Sequence, residues 1–265
     1  IDSDKVGIVT VLDGAPMPAG QMAAKVVEGH NNFQNPDGFI RHGGCRGLQE
    51  QIILAGNYNL NPWFCEIEEH DLVEVPIGNV GVVVSFVGDD TKDMSGNEFT
   101  HGNIVRQGGK GVWDEPLYPG KHPLNPRIMK VELVPTTNIV LNWATARTEA
   151  HKLDEKLSTI TVRSKDGFTF NLDVSQIINI GARKAPWVIS RVGSVRNLVN
   201  QVLEPIVGNY FRNSAQNYTV LDFLTNRAER QKEARVHVSE AIREYDVQSV
   251  DTLIGDITPP EQIGR

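Results

Sequence analysis

The stretch Gly108–Pro126, GGKGVWDEPLYPGKHPLNP, has an earlier counterpart in Gly43–Pro62, GGCRGLQEQIILAGNYNLNP. From the glycine after each Gly-Gly pair the two align without a gap. Gly47 falls on Gly111, Gly56 on Gly120, and Leu60-Asn61-Pro62 on Leu124-Asn125-Pro126. Leu48 with Val112, Glu50 with Asp114 and Ile53 with Leu117 are softer matches. Chance would give roughly one identity in such a window. A duplication constrains the fold strongly, because both copies must make the same supersecondary unit. The frames agree: Val6-Gly7-Ile8-Val9 opens one copy and Val80-Gly81-Val82-Val83 the other. Val73-Glu74-Val75-Pro76 and Glu132-Leu133-Val134-Pro135 close them. The expected organisation is a front β module over 1–76, a second over 77–135, and an α+β part over 136–265.

The repeated stretch carries turn chemistry. Tyr118-Pro119-Gly120 predicts a type II turn, with Pro fixing φ and Gly accepting a positive one. Asn125-Pro126 predicts an extended residue and a strand start. Met129, Val131 and Leu133 then alternate with Lys130 and Glu132.

The 20–45 segment reads as a long irregular excursion, since His30, Asn31, Asn32, Asn35 and Pro36 disfavour regular structure. Gly88–Gly102 reads as a polar loop. Residues 136–156 read as a polar bridge with a helix-prone part, Ala144–Lys156. Ser158–Arg163, the turn Lys165-Asp166-Gly167 and the alternating Phe168, Phe170, Leu172 and Val174 predict a β-hairpin. From Trp187, apolar residues then recur at helical spacing in two stretches: Val195, Leu198, Val202, Ile206 and Tyr210, then Leu221, Leu224, Ala228, Val238, Ile242 and Tyr245. Pro205 must kink or interrupt the first. A short strand near Val247–Ile257 closes the chain. Strands first and helices after argue an α+β fold.

Length allows one large or two small domains, with ample room for a core. A formal net charge of −7 and a pI near 5.5 leave no basic stripe. Nucleic acid is therefore disfavoured as a partner, and so is a strong electrostatic grip on anionic lipid. Cys45 and Cys65 are either free thiols or one disulfide. No apolar run reaches bilayer-spanning length, and no signal peptide is legible. The opening at Ile1, already at a strand edge, reads as the start of a fragment or a core.

Ile77–Glu261 resembles an SPFH (band 7) domain, the family of stomatin, prohibitin and flotillin. The likeness rests on Val80–Val83, on the turn Leu117–Pro126, and on Ile160–Gly167 with its alternating strand. It rests also on the helix around Val195-Arg196-Asn197-Leu198, the long charged helix, and the end at Asp256–Pro260. At Tyr245-Asp246-Val247 the family usually has Tyr-Gly and a β-branched residue. The extra front module is similar to that of longer bacterial flotillin-like members. The resemblance implies an α+β core of β modules, a hairpin, two long helices and a closing strand, leading to a coiled coil. It implies a membrane-associated scaffold, with many copies in rings or cages that organise membrane microdomains or clients such as membrane proteases. The implied place is the inner membrane of the cell, on its cytoplasmic side.

Patterns that carry chemistry are not found. The sequence has no G-x-S-x-G and no H-E-x-x-H. Gly120-Lys121 lacks the earlier glycine of a phosphate loop. The seven histidines show no close ligand pair. A non-enzymatic chain without cofactor or metal is expected, with a soluble vault-like shell protein and a hydrolase as the rival classes. Trp63, Phe64, Trp113 and Tyr118, near the repeated turns, are either module core or membrane-proximal tips, where Trp and Tyr favour the headgroup layer. Arg227, Glu229, Arg230, Lys232, Glu233 and Arg235 are the charges expected at a subunit interface.

Overall fold

A computed structural model shows an α+β chain that divides into two compact units, Ile1–Leu133 and Val134–Arg265. Residues 1–90, 92–94, 103–145 and 151–259 are described. The polar loop over 88–102 and the helix-prone part within 144–156 lie partly outside them, and Pro260 wholly so.

The first unit begins with β1 (Lys5–Val11), α1 (Pro36–Arg41), β2 (Gly47–Ile53) and β3 (Cys65–Asp71), in a sheet ordered β2-β1-β3. It continues with β4 (Val73–Val75), β5 (Asn79–Ser85), β6 (Ile104–Val105), β7 (Gly111–Trp113), β8 (Gly120–His122) and β9 (Met129–Pro135). Here the order is β6-β7-β5-β9, and β4 pairs with β8.

The duplicated sequence folds into duplicated geometry. β1 and β5 are the central strands, each with the same burial pattern. Val11 pairs with Gly47 as Ser85 pairs with Gly111. Leu12 N–H donates to Phe64 O at 2.7 Å, and Phe86 N–H to Ile128 O at 2.9 Å. Cys65 N–H donates to Asn61 O at 3.1 Å, and Met129 N–H to Asn125 O at 3.0 Å. Gly14 and Gly88 are both required, because an added Cβ would lie 2.7 Å from Gly44 O and 2.3 Å from Gly108 O. That close approach explains glycine at 14 and 88 in the two copies.

β4 belongs, by its hydrogen bonds, with the second copy. Val75 pairs with Gly120 there, as Ile1 exchanges hydrogen bonds with Gly56 in the first. The partner of Glu132–Pro135 is therefore Glu68–Asp71, at the end of β3, rather than Val73–Pro76. Tyr118–Gly120 is a bend that opens β8, with φ +146 at Gly120, instead of a closed turn. Asn125-Pro126 leads into a turn, and the strand starts only at Met129. Alternation on β9 fails after Glu132: Leu133 is 45% exposed while Val134 is fully buried.

The 20–45 excursion supplies core. Phe33 and Phe39 pack with Val9, Val11, Ile53 and Phe64. Asn31, Asn32 and Phe33 all take positive φ, a tight left-handed turn that asparagine tolerates. Buried His30 holds it: its Nδ1 accepts from Phe33 N–H at 2.7 Å, and its Nε2 donates to Val27 O at 2.9 Å.

The second unit is a sheet with helices on one face. β10 (Ile139–Trp143) and β11 (Ile160–Arg163) pair with successive halves of one edge of β12 (Thr169–Asn179). β13 (Gln248–Thr258) pairs along the other edge. β10 corrects the expected polar bridge: Ile139, Leu141 and Trp143 alternate inward and are buried. Residues 152–156 form a turn and no helix. The closing strand β13 is as long as β12, not short.

Both expected helices are interrupted. α2 (Ala185–Val192) stops at Gly193, whose φ is +86, and α3 (Val195–Asn197) restarts under a Ser194 cap. The chain then widens into a π-helical turn over Leu198–Leu203 before α4 (Glu204–Ala215). The wide turn accommodates Pro205, which has no N–H and crowds the turn before it. Asn226, at φ −104 and ψ 33, separates α5 (Val220–Thr225) from α6 (Arg227–Arg243). Val207, Phe211, Phe223, Val238 and Ile242 bury the helical face, and Phe170 of β12 meets Phe223 edge-on at 5.4 Å.

Candidate functional site

The four aromatic candidates split by pairs. Phe64 and Trp113 are core residues, 4% and 5% exposed. Trp113 also donates its indole N–H to Gly109 O at 3.1 Å, so its polar atom is satisfied inside. Both are thereby removed from any surface tip. Trp63 is 87% exposed and Tyr118 48%. These two sit at opposite ends of the module plan. Trp63 precedes β3 and takes the place Arg127 has in the second copy, whereas Tyr118 stands beside the start of β5, where Leu117 bridges Gly81.

The structure adds Ile77, 93% exposed between Pro76 and Gly78. It follows β4, whose end pairs with Gly120, so Ile77 and Tyr118 share one end of the second module. The sequence held the signal: a lone β-branched residue between Pro and Gly stands in a turn, where it has no core to enter.

The charges of α6 also divide. Arg227 donates to Ile254 O of β13, and Arg235 pairs with Asp251 at 2.7 Å. Arg230 lies 3.5 Å over the Tyr218 ring and 3.4 Å from Glu233, which also accepts from Tyr218 Oη at 3.2 Å. These four charged side chains are engaged within the chain. Glu229 and Lys232 are exposed and make no ion pair among the described residues. They stand near exposed Val236 on the same helix.

A groove of about 520 Å³ runs between α4 and α6, lined by Ile206, Asn209, Tyr210, Asn213 and His237 among others. His237 stacks on Tyr210 at 4.7 Å. Burial pushes the Tyr210 phenol above its ordinary range. A ring presented face-on does not serve as a base for the hydroxyl beneath it. Among the described residues no group of three His, Cys, Asp or Glu side chains is placed to hold a metal ion. Cys45 and Cys65 are free thiols, so no disulfide joins them. Burial raises the Cys65 thiol.

No helix among the described residues is long and apolar enough to cross a membrane. The remaining distinctive features are exposed apolar residues at the ends of the β modules and a charged outer helix. Residues 73–265 match the SPFH domain / Band 7 family, and the chain belongs to that family. The match begins at the first residue of β4, where the second module starts. Proteins of this family are in general membrane-associated scaffolds without enzymatic activity, and they commonly oligomerise. No curated protein matches the chain.

Proposed function

We propose that this chain is the core of a homo-oligomeric scaffold that rests on a membrane and gathers lipids or membrane-protein clients, membrane proteases among them. The observation that carries the reading is the exposure of Ile77 and Tyr118 at one end of the second β module, and of Trp63 on a turn of the first, in a family of membrane-associated proteins. Trp and Tyr are favoured at the headgroup layer, and a turn presents them without unfolding. With a net charge of −7 the attraction is apolar rather than electrostatic. Subunits meet along α6, where Glu229, Lys232 and Val236 face outward beside the engaged Arg227, Arg230, Glu233 and Arg235. Single exposed pairs contribute little, but a ring repeats them. The assignment of 1–76 as an added flotillin-like module, the closed ring or cage, and a place on the cytoplasmic side of the inner membrane belong to the same proposal.

Vesicle flotation tests it. The chain floats with neutral phosphatidylcholine vesicles, and roughly 0.5 M salt leaves the bound fraction unchanged, as expected where exposed charges are screened. Trp63→Ala, Ile77→Ala and Tyr118→Ala combined lower that fraction at least several-fold. Unchanged flotation of the triple variant refutes the assignment of these tips. The duplicated β modules favour a second reading, a soluble shell whose modules build a particle wall. Large particles that form without lipid and ignore vesicles would select it.

A further inference from the structure

The sheet of the second unit treats its outer strand edges unequally. Ser164 N–H donates to Phe168 O at 2.8 Å. In the antiparallel register Val162 with Phe170 and Ile160 with Leu172 are then the hydrogen-bonded pairs. The N–H and C=O groups of Thr161 and Arg163 therefore point away from β12. The same parity on β10 turns Val140 and Asn142 outward, and there one outward group of each is capped. His151 Nε2 donates to Val140 O at 2.8 Å, and Asn142 N–H donates to Asp154 Oδ2 at 3.1 Å. β13 is capped at Ile254, whose N–H donates to Gln231 Oε1 at 3.0 Å and whose C=O accepts from Arg227. Lys165 N–H, just beyond β11, donates to Tyr218 O at 2.8 Å, but within β11 the outward groups of Thr161 and Arg163 have no partner among the described residues, and both residues are exposed. An open edge is a template for another strand.

We propose that β11 is a self-association edge, on which a second copy of this chain adds its own β11 antiparallel to the first. The side chains fit such a pairing. Centred on Thr161, it sets Thr161 against Thr161 of the partner subunit and Arg163 against the partner subunit's Thr159. Like charges are not opposed, which a pairing centred on Arg163 would require. Thr159 Oγ1 donates to Asp173 Oδ1 at 2.9 Å in the next strand inward. Strands lie about 4.8 Å apart, so an arginine stem crossing one strand reaches that carboxylate. Arg163 of each copy thereby meets Asp173 of the partner subunit. An edge that pairs with itself gives a closed two-fold dimer, and the outer face of α6 is left to join dimers. The inference rests on the self-assembly reading above and gives it a first contact.

Thr161→Pro tests it. The Thr161 N–H takes no part in the β12 ladder, and proline is tolerated where an edge N–H faces solvent. Expected is a wild-type mass of two copies or a multiple of two by light scattering. Thr161→Pro lowers it to one copy, or to the pair that the α6 contact joins, at equal concentration and with an unchanged far-ultraviolet spectrum. In a second measurement, Thr161→Cys in a Cys45→Ser background gives a covalent dimer with a short bismaleimide, and Cys45→Ser alone does not. This readout holds even if the proline variant misfolds. Wild-type mass in Thr161→Pro together with no cross-linked dimer overturns the β11 contact while the scaffold reading stands. A wild-type chain that stays monomeric at every concentration overturns both.

Discussion

Asp246 shows how one residue departs from a family habit and still fits. Its backbone sits at φ +60, the left-handed region that glycine occupies at no steric cost. Aspartate tolerates this conformation better than most residues, and its carboxylate is held by Arg191 at 3.3 Å and Lys184 at 3.6 Å. Asp246→Gly loses the ion pairs but relieves the backbone. Asp246→Ala loses the ion pairs and keeps the strained backbone, so urea unfolding should find it less stable than the glycine variant by about 1–2 kcal/mol. Equal stability of the two would mean that the backbone at 246 carries no strain. At the same scale the sequence leaves Trp63 and Phe64 indistinguishable, since they are neighbours beside one turn. Only the strand start at Cys65 decides which faces inward, and it buries Phe64 and leaves Trp63 outside.

The elements were legible where a pattern repeated or alternated cleanly. The duplicated stretches pointed to the equivalent strands β2 and β7, and Phe170, Leu172 and Val174 located the hairpin. β10 was hidden because five residues make too short a window for alternation to stand out. The helix breaks were hidden because apolar spacing runs on across Gly193 and Asn226 while the backbone does not. Edge protection was beyond sequence reasoning, since it joins residues far apart in the chain. Gln231 on α6 is the clearest case, accepting the outward N–H of Ile254. Removing a partner from a half-buried donor costs about 1–3 kcal/mol. Gln231→Ala should therefore lower the melting temperature by roughly 2–4 °C per kcal/mol lost. It should also promote association through β13. A variant as stable and as monodisperse as wild type would show that α6 does not guard this edge.

At the scale of the molecule the account joins two kinds of surface. Apolar tips on stiff modules suit a lipid interface, whose partner is fluid and needs no shape match. A short open strand edge and an exposed helix face suit a second copy of the chain, whose groups repeat in fixed places. Membership of the SPFH domain / Band 7 family was legible because the order of soft motifs survives where no single motif is diagnostic. The tip at Ile77 and the open edge of β11 were not, because both depend on which groups remain unpaired once everything else has packed.

The measurement that bears most directly on the central claim is the mass and appearance of the protein on vesicles, by negative-stain imaging of the floated fraction. The account predicts closed or arrayed assemblies of many copies seated on lipid, disrupted by Thr161→Pro and released by the combined substitution of Trp63, Ile77 and Tyr118. A small species of one or two copies that neither floats nor assembles would contradict it.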